Sequence, residues 1–109
     1  MKQKKLTEKA IMQRAENQMV LDAMEWFKSK EHSLIKKKRL RYCSAWVYIY
    51  DDCYVLKSYR TDIALIRFCD GCMYDFLRYV YGYTNTSGQH LAKFAHDYAA
   101  QKRYTWRYV

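Results

Sequence analysis

Hydrophobic positions along this chain follow two periods, and the change from one to the other falls near Ala45. Between Thr7 and about Lys30, the residues Met12, Ala15, Met19, Val20, Ala23, Met24, Trp26 and Phe27 recur at steps of three and four. Lys9, Arg14, Asp22, Glu25 and Lys28 lie between them. That spacing predicts an amphipathic helix, because steps of three and four return to one helical face. Thr7 is placed to cap it and Glu8 to complement its positive end. Glu31-His32-Ser33 breaks the pattern. Ser33 then starts a short second helix over Leu34, Ile35 and Lys36-Lys37-Lys38-Arg39, or the same segment is a loop feeding the first strand.

From Ala45 the period is two. Val47 and Ile49 alternate with Trp46, Tyr48 and Tyr50, Asp51-Asp52 supplies a turn, and Val55, Leu56 and Tyr59 belong to a returning strand. Ile63, Leu65 and Ile66 to Phe68 predict a third strand. Asp70-Gly71 is a two-residue hairpin signal, and Met73 to Tyr83 reads as a long fourth strand. Thr86-Ser87-Gly88-Gln89 has the form of a capping box that opens a last helix, with Leu91, Phe94, Ala95 and Tyr98 as its buried stripe. The tail Tyr104 to Val109 alternates again and offers a fifth strand at a sheet edge. The expectation is one α+β domain over residues 1–109: an antiparallel four- to five-stranded meander with one face covered by both helices. At 109 residues such a domain buries roughly 65% of its unfolded surface, enough for one core.

Charge changes the picture at the two ends. Residues 1–41 hold twelve Lys/Arg against five Asp/Glu, residues 42–101 five against six, and residues 102–109 three against none, for a formal net charge of +9. A basic surface releases counterions when it meets phosphate, so the layout points to nucleic acid or an acidic protein face. The candidate contacts are Lys36, Lys37, Lys38, Arg39 and Arg41 in the helical N-terminal region and Lys102, Arg103 and Arg107 in the tail. Twelve tyrosines and three tryptophans exceed what so small a core can bury. Some of these rings are expected to meet a partner, a second copy of the chain included. No run of about 18 apolar residues and no signal-peptide pattern is present, so the reading is a soluble cytoplasmic protein with reduced cysteines.

Catalytic and cofactor patterns are sparse. Cys69-Asp70-Gly71-Cys72 has half of a zinc spacing, and Cys43 and Cys53 would have to complete it, but they are ten residues apart without a neighbouring His at the usual spacing. A turn at Asp70-Gly71 accounts for the segment and sets the two thiols opposite one another. The expectation is therefore small thiols, with no metal and no cofactor. His90 and His96 point about 120° apart on a helix and cannot serve one site. No Gly-rich phosphate loop, His-Glu-x-x-His or Gly-x-Ser-x-Gly occurs, and no enzymatic activity is expected. The start of the last helix is the best local anion site, with Thr86, Ser87 and His90 near free amides. The competing role for these residues is scaffolding, with hydroxyls capping, His90 bonded to the preceding strand and Phe94 in the core.

Ser58-Tyr59-Arg60-Thr61, followed after a hairpin pattern by Tyr83-Thr84-Asn85-Thr86-Ser87-Gly88-Gln89-His90 and Phe94, resembles a family of small proteins carried by phages and mobile elements of gut bacteria. There, a strand ending in Ser-Tyr-x-Thr precedes a Tyr/Thr/Ser turn that opens a helix with a His and a Phe. The resemblance covers about the last half of the chain. It implies a counter-defence protein, most specifically an anti-CRISPR inhibitor that binds a CRISPR nuclease or its guide RNA or target DNA. A charge of +9 excludes the acidic DNA-mimic route. The alternative is a stand-alone nucleic-acid-binding accessory protein using the same basic and aromatic residues.

Overall fold

A computed structural model describes residues 8–100, with side chains from position 17 onward other than those at 79 and 100. Thr7, the side chains of Met12 and Ala15, and the tail with Lys102, Arg103, Arg107 and the alternating Tyr104 to Val109 lie outside the described residues.

Helix α1 (Glu8–Ser29) is followed by five strands, β1 (Leu34–Arg39), β2 (Ala45–Tyr50), β3 (Cys53–Ser58), β4 (Thr61–Arg67) and β5 (Cys72–Asp75). A wide helical turn (Leu77–Tyr81) leads to α2 (Asn85–Phe94), which continues with π-type winding over Ala95–Ala100. The strands form an open antiparallel sheet in the order β1-β2-β3-β4-β5. The α+β class and the meander are thus as the sequence indicates.

The two helices do not share a face of this sheet. Val20 and Ala23 of α1 pack with Cys53, Val55, Leu65, Cys72, Tyr74 and Phe76. Leu91, Phe94 and Ala95 at the other end of the chain pack with Val47, Leu56, Ala64, Ile66 and Met73. These sheet residues alternate along each strand, so the helices cover opposite faces. The cause is visible in β3 and β4. Val55-Leu56 and Ile63-Ala64-Leu65-Ile66 are consecutive buried residues, and a strand that is apolar on both sides needs cover on both sides. A bulge in the β3–β4 pairing, where Leu56 faces Ala64 but Lys57 faces Asp62, leaves Ile63 unpaired and lets it join Ala64 in the α2-side core.

Four local expectations change. Residues 34–39 are a strand rather than a helix or loop, so the basic N-terminal region is only partly helical. The segment supplies the fifth strand because β2 needs hydrogen-bond partners on both sides. Leu34 faces Tyr50, and Asp51 N–H donates to Ser33 O at 3.0 Å to close the ladder. The fourth hairpin has a four-residue loop, since Arg67 pairs with Cys72 and Gly71 N–H donates to Arg67 O at 2.9 Å. Asp70 organises that loop by accepting from Cys72 N–H at 3.0 Å and from Arg67 Nε at 2.8 Å. Gly71 takes the left-handed backbone (φ 64°) that closes it. Cys69 is therefore an exposed loop residue, not the cross-strand neighbour of buried Cys72.

The last strand ends at Asp75 instead of Tyr83. Phe76 and Leu77 are both buried, a pairing that helical winding permits, and Gly82 (φ 84°) ends the turn by donating to Leu77 O. Finally, α2 is capped by Thr84 rather than Thr86. Thr84 Oγ1 accepts from Ser87 N–H at 3.2 Å while Ser87 Oγ accepts from Thr84 N–H at 3.2 Å. Ser87 does the reciprocal work that Glu or Gln does in the usual capping box.

Candidate nucleic-acid interface

Strand β1 is exposed along its whole length. Because side chains alternate across a strand, its four consecutive cations divide between the two faces of the sheet. Lys36 and Lys38 face Ile49 and Val47 in the pairing with β2, and Lys37 and Arg39 face Tyr48 and Trp46. A run that would spread around a helix is instead a cationic border on both sides of one edge.

On the α2 side, the helix packs over β3 and β4 and leaves the outer strands open. Lys36, Lys38, Ile49, Tyr54 and Tyr98 line a groove of about 880 Å³ there, together with Arg41, Tyr42, Asp97 and Arg39, which reaches it from the end of the strand. Tyr54 and Tyr98 meet edge to face at 5.2 Å, which fixes both rings in the groove wall. Burial, with Asp97 nearby, raises the Tyr98 hydroxyl above its ordinary pKa and keeps it a hydrogen-bond donor. On the α1 side, the Lys37 and Lys57 ammonium groups stand 5.1 and 4.8 Å from the centre of the Tyr48 ring. Trp46 is exposed beside Arg39. Both faces of the edge therefore pair cations with aromatic surface.

The turn end of the sheet extends this surface. The β1–β2 and β3–β4 turns lie side by side, joined by Tyr59 N–H to Ser44 O at 3.1 Å. Each contains a non-glycine residue with left-handed backbone, Arg41 (φ 51°) and Tyr59 (φ 56°), where glycine would carry less strain. Tyr42 is 97% and Tyr59 66% exposed. The chain thus holds one cation, Arg41, and one exposed ring, Tyr59, at positions where their backbone is costly.

Arg41 is not a free charge. Its guanidinium forks onto Asp97, Nε to Oδ2 at 2.9 Å and Nη2 to Oδ1 at 2.7 Å, and Nη2 also lies 3.3 Å from His96 Nδ1. The hydrogen bonds from Arg41, helped by His96, hold the Asp97 carboxyl down to about 2. The pair ties the β1–β2 turn to the end of the C-terminal helical segment. Arg39 is steadied by donating from Nε to Cys43 O at 3.0 Å.

The residues that carry the family resemblance form a packed joint. Buried Ser58 and His90 meet Oγ to Nδ1 at 2.8 Å, and the Tyr59 ring lies 6.1 Å from that of His90. Burial, and secondarily Lys93, lowers the His90 pKa and so favours the neutral ring. Among the described residues no carboxylate hydrogen-bonds to it. Phe94 is wholly buried, Thr61 opens β4, and Thr86 is exposed in the first turn of α2. His90 lies beyond that first turn, and the Ser87 amide is already taken by Thr84, so Thr86, Ser87 and His90 do not converge on an anion. Tyr83 donates to the buried Asp75 carboxylate, which also accepts from Arg78 N–H at 3.0 Å.

Tyr42, Trp46, Tyr48, Tyr54, Lys57 and Tyr98 join the basic run only in three dimensions. The one available signal is the alternation of Trp46 and Tyr48 with apolar residues along β2. Among the described residues, no helix is long and apolar enough to cross a membrane. Comparison of the chain with known protein families, with curated proteins and with solved structures returned no match.

Proposed function

We propose that this protein binds nucleic acid, laying a single strand along the β1 edge and the adjoining turn end. The observation that carries this reading is the alternation of Lys36, Lys37, Lys38 and Arg39 along an edge that no described residue covers, with aromatic rings beside it on each face. Cations that track phosphates beside rings that stack on bases are the two parts of a sequence-tolerant single-strand site. A sheet edge lacks the reader helix that enters a duplex major groove, so single strands are favoured over duplex.

The test is fluorescence anisotropy with labelled single-stranded and duplex oligonucleotides over a range of salt. Neutralising about four phosphates on a single strand gives a logarithmic salt slope of roughly −3. Replacing Lys36, Lys37, Lys38 and Arg39 together by Ala removes most of that slope. Unchanged affinity in the quadruple variant refutes the proposal.

The resemblance to phage and mobile-element proteins supports a second form of the same reading, an inhibitor that grips guide RNA or target DNA inside a CRISPR effector. Cleavage by a panel of guide-loaded nucleases, run beside a gel shift on the same DNA alone, separates the two. Inhibition of particular effectors without a shift of naked DNA supports the inhibitor. A salt-sensitive shift with equal slowing of every nuclease supports the stand-alone binder.

A further inference from the structure

We propose that His32, Asp52 and Cys53 form a binding site for a zinc-class divalent metal ion where the C-terminus of α1 meets the β2–β3 turn. Their ligand atoms, an imidazole nitrogen, a carboxylate oxygen and a thiol sulfur, all lie within 4.8 Å of one another.

The hydrogen-bond pattern calls for a positive charge at this point. His32 Nε2 lies 3.0 Å from Phe27 O. A carbonyl only accepts, so Nε2 carries a hydrogen, and in the neutral ring Nδ1 is left with a lone pair. That lone pair faces Asp52 Oδ2 at 2.7 Å, an acceptor against an acceptor. The other Asp52 oxygen, Oδ1, is buried with no nitrogen or oxygen donor, and the Cys53 thiol is the group that hydrogen-bonds this carboxylate. Either a proton on His32 or a metal ion reconciles the 2.7 Å pair, and the metal would also take the place of the proton through which the Cys53 thiol bonds to Asp52.

The surroundings suit the metal. Bonds of about 2.0 to 2.3 Å arranged tetrahedrally set donors roughly 3.4 Å apart, so Nδ1 and Oδ2 need to separate by less than about 1 Å. The bond from Nε2 to a backbone carbonyl is the outer contact that ligating histidines usually make. A mixed nitrogen, oxygen and sulfur set selects zinc over the hard cations magnesium and calcium. Phe27 stacks on His32 at 4.8 Å and Trp26 lies at 4.9 Å, shielding the ring. The Asp52 side chain is 38% exposed, which supplies the entry route and a water for the fourth position.

The test uses the full-length, reduced, chelator-stripped protein with cobalt(II) chloride and zinc chloride as probes. One equivalent of cobalt should produce a thiolate-to-cobalt charge-transfer band that zinc abolishes. Zinc at a hundredfold excess over its Kd should raise Tm by roughly 10 °C. Cys53→Ser should remove the band and His32→Gln should weaken zinc binding at least tenfold, while Cys69→Ser changes neither. Because the wild-type titration needs no variant to fold, it decides the matter by itself. Absence of both band and Tm shift overturns the proposal and leaves His32 as a structural contact to Asp52 at the helix end. A band that survives Cys53→Ser overturns it as well.

Discussion

The two edges of the sheet solve one problem in opposite ways. Strand β5 is buried at each of its four residues, while β1 is exposed at each of its six. An unpaired edge invites association with another chain, and proteins block it either by covering it or by charging it. At β5 the chain folds back, with Phe76 and Leu77 entering the core on either side and Tyr83 bonded to Asp75. At β1 no described residue folds over, and four cations stand in line. On the proposed reading the covered edge serves stability and the charged edge recognition, so substitutions at the two should have separable effects.

Phe94→Ala should have the largest consequence. Phe94 is 0% exposed beneath the sheet, and its removal should cost about 3–5 kcal/mol through the cavity left behind. Thermal unfolding reads this directly, and a Tm equal to wild type would mean that α2 does not cover that face. The quadruple replacement of Lys36, Lys37, Lys38 and Arg39 should do the reverse, abolishing most oligonucleotide affinity with stability changed by no more than roughly 0.5 kcal/mol per site. A matching loss of stability would erase the distinction between the edges.

Tyr83→Phe probes the covered edge more gently. It withdraws a donor from Asp75, which is 1% exposed, and should cost about 1–3 kcal/mol in urea unfolding. Oligonucleotide affinity should be retained, and its loss would extend the interface to Tyr83. Asp97→Asn sharpens the charged edge instead. Releasing Arg41 from its carboxylate partner should strengthen oligonucleotide binding several-fold and steepen the salt slope by nearly one. An unaltered slope would mean that Arg41 does not reach phosphate.

The smallest effect is a pH dependence from His90. Its folded pKa lies below the ordinary 6.5, so the unfolded chain binds more protons in acid. The stabilisation is full above about 6.5 and declines as pH falls through the folded value. Tm should drop on acidification below 6.5, and less so in His90→Gln. An equal drop in both would assign it elsewhere. Asp97 behaves in the same sense at lower pH, since its contribution is present above the ordinary carboxylate value of 3.8 and is lost toward 2.

Elements with a clear period were legible from the sequence. The 3.6 spacing of α1, the alternation of β2 and the stripe of α2 each report a buried face through neighbouring residues. Met73 to Tyr83 was ambiguous because its apolar and aromatic residues fit both a strand and a helical turn. β1 was hidden for another reason. It carries no alternation, since an exposed edge strand buries neither face, and it is a strand only because β2 offers it hydrogen bonds. For the candidate interface, the run of cations was legible but its division between faces was not, and the rings beside it come from three other elements.

By itself, the sequence determined the α+β class, the helical stripes, the central strands and the surplus of positive charge outside the central segment. Tertiary structure alone placed the helices on opposite faces, joined Arg41 to Asp97 across 56 positions and Ser58 to His90 across 32, and brought His32 to Asp52 and Cys53. The reason is physical. Periodicity records which side of an element is buried, a property of residues a few positions apart. Which distant side chains meet depends on strand register and on the direction in which each connection crosses the sheet, and a slip of one residue would exchange the faces.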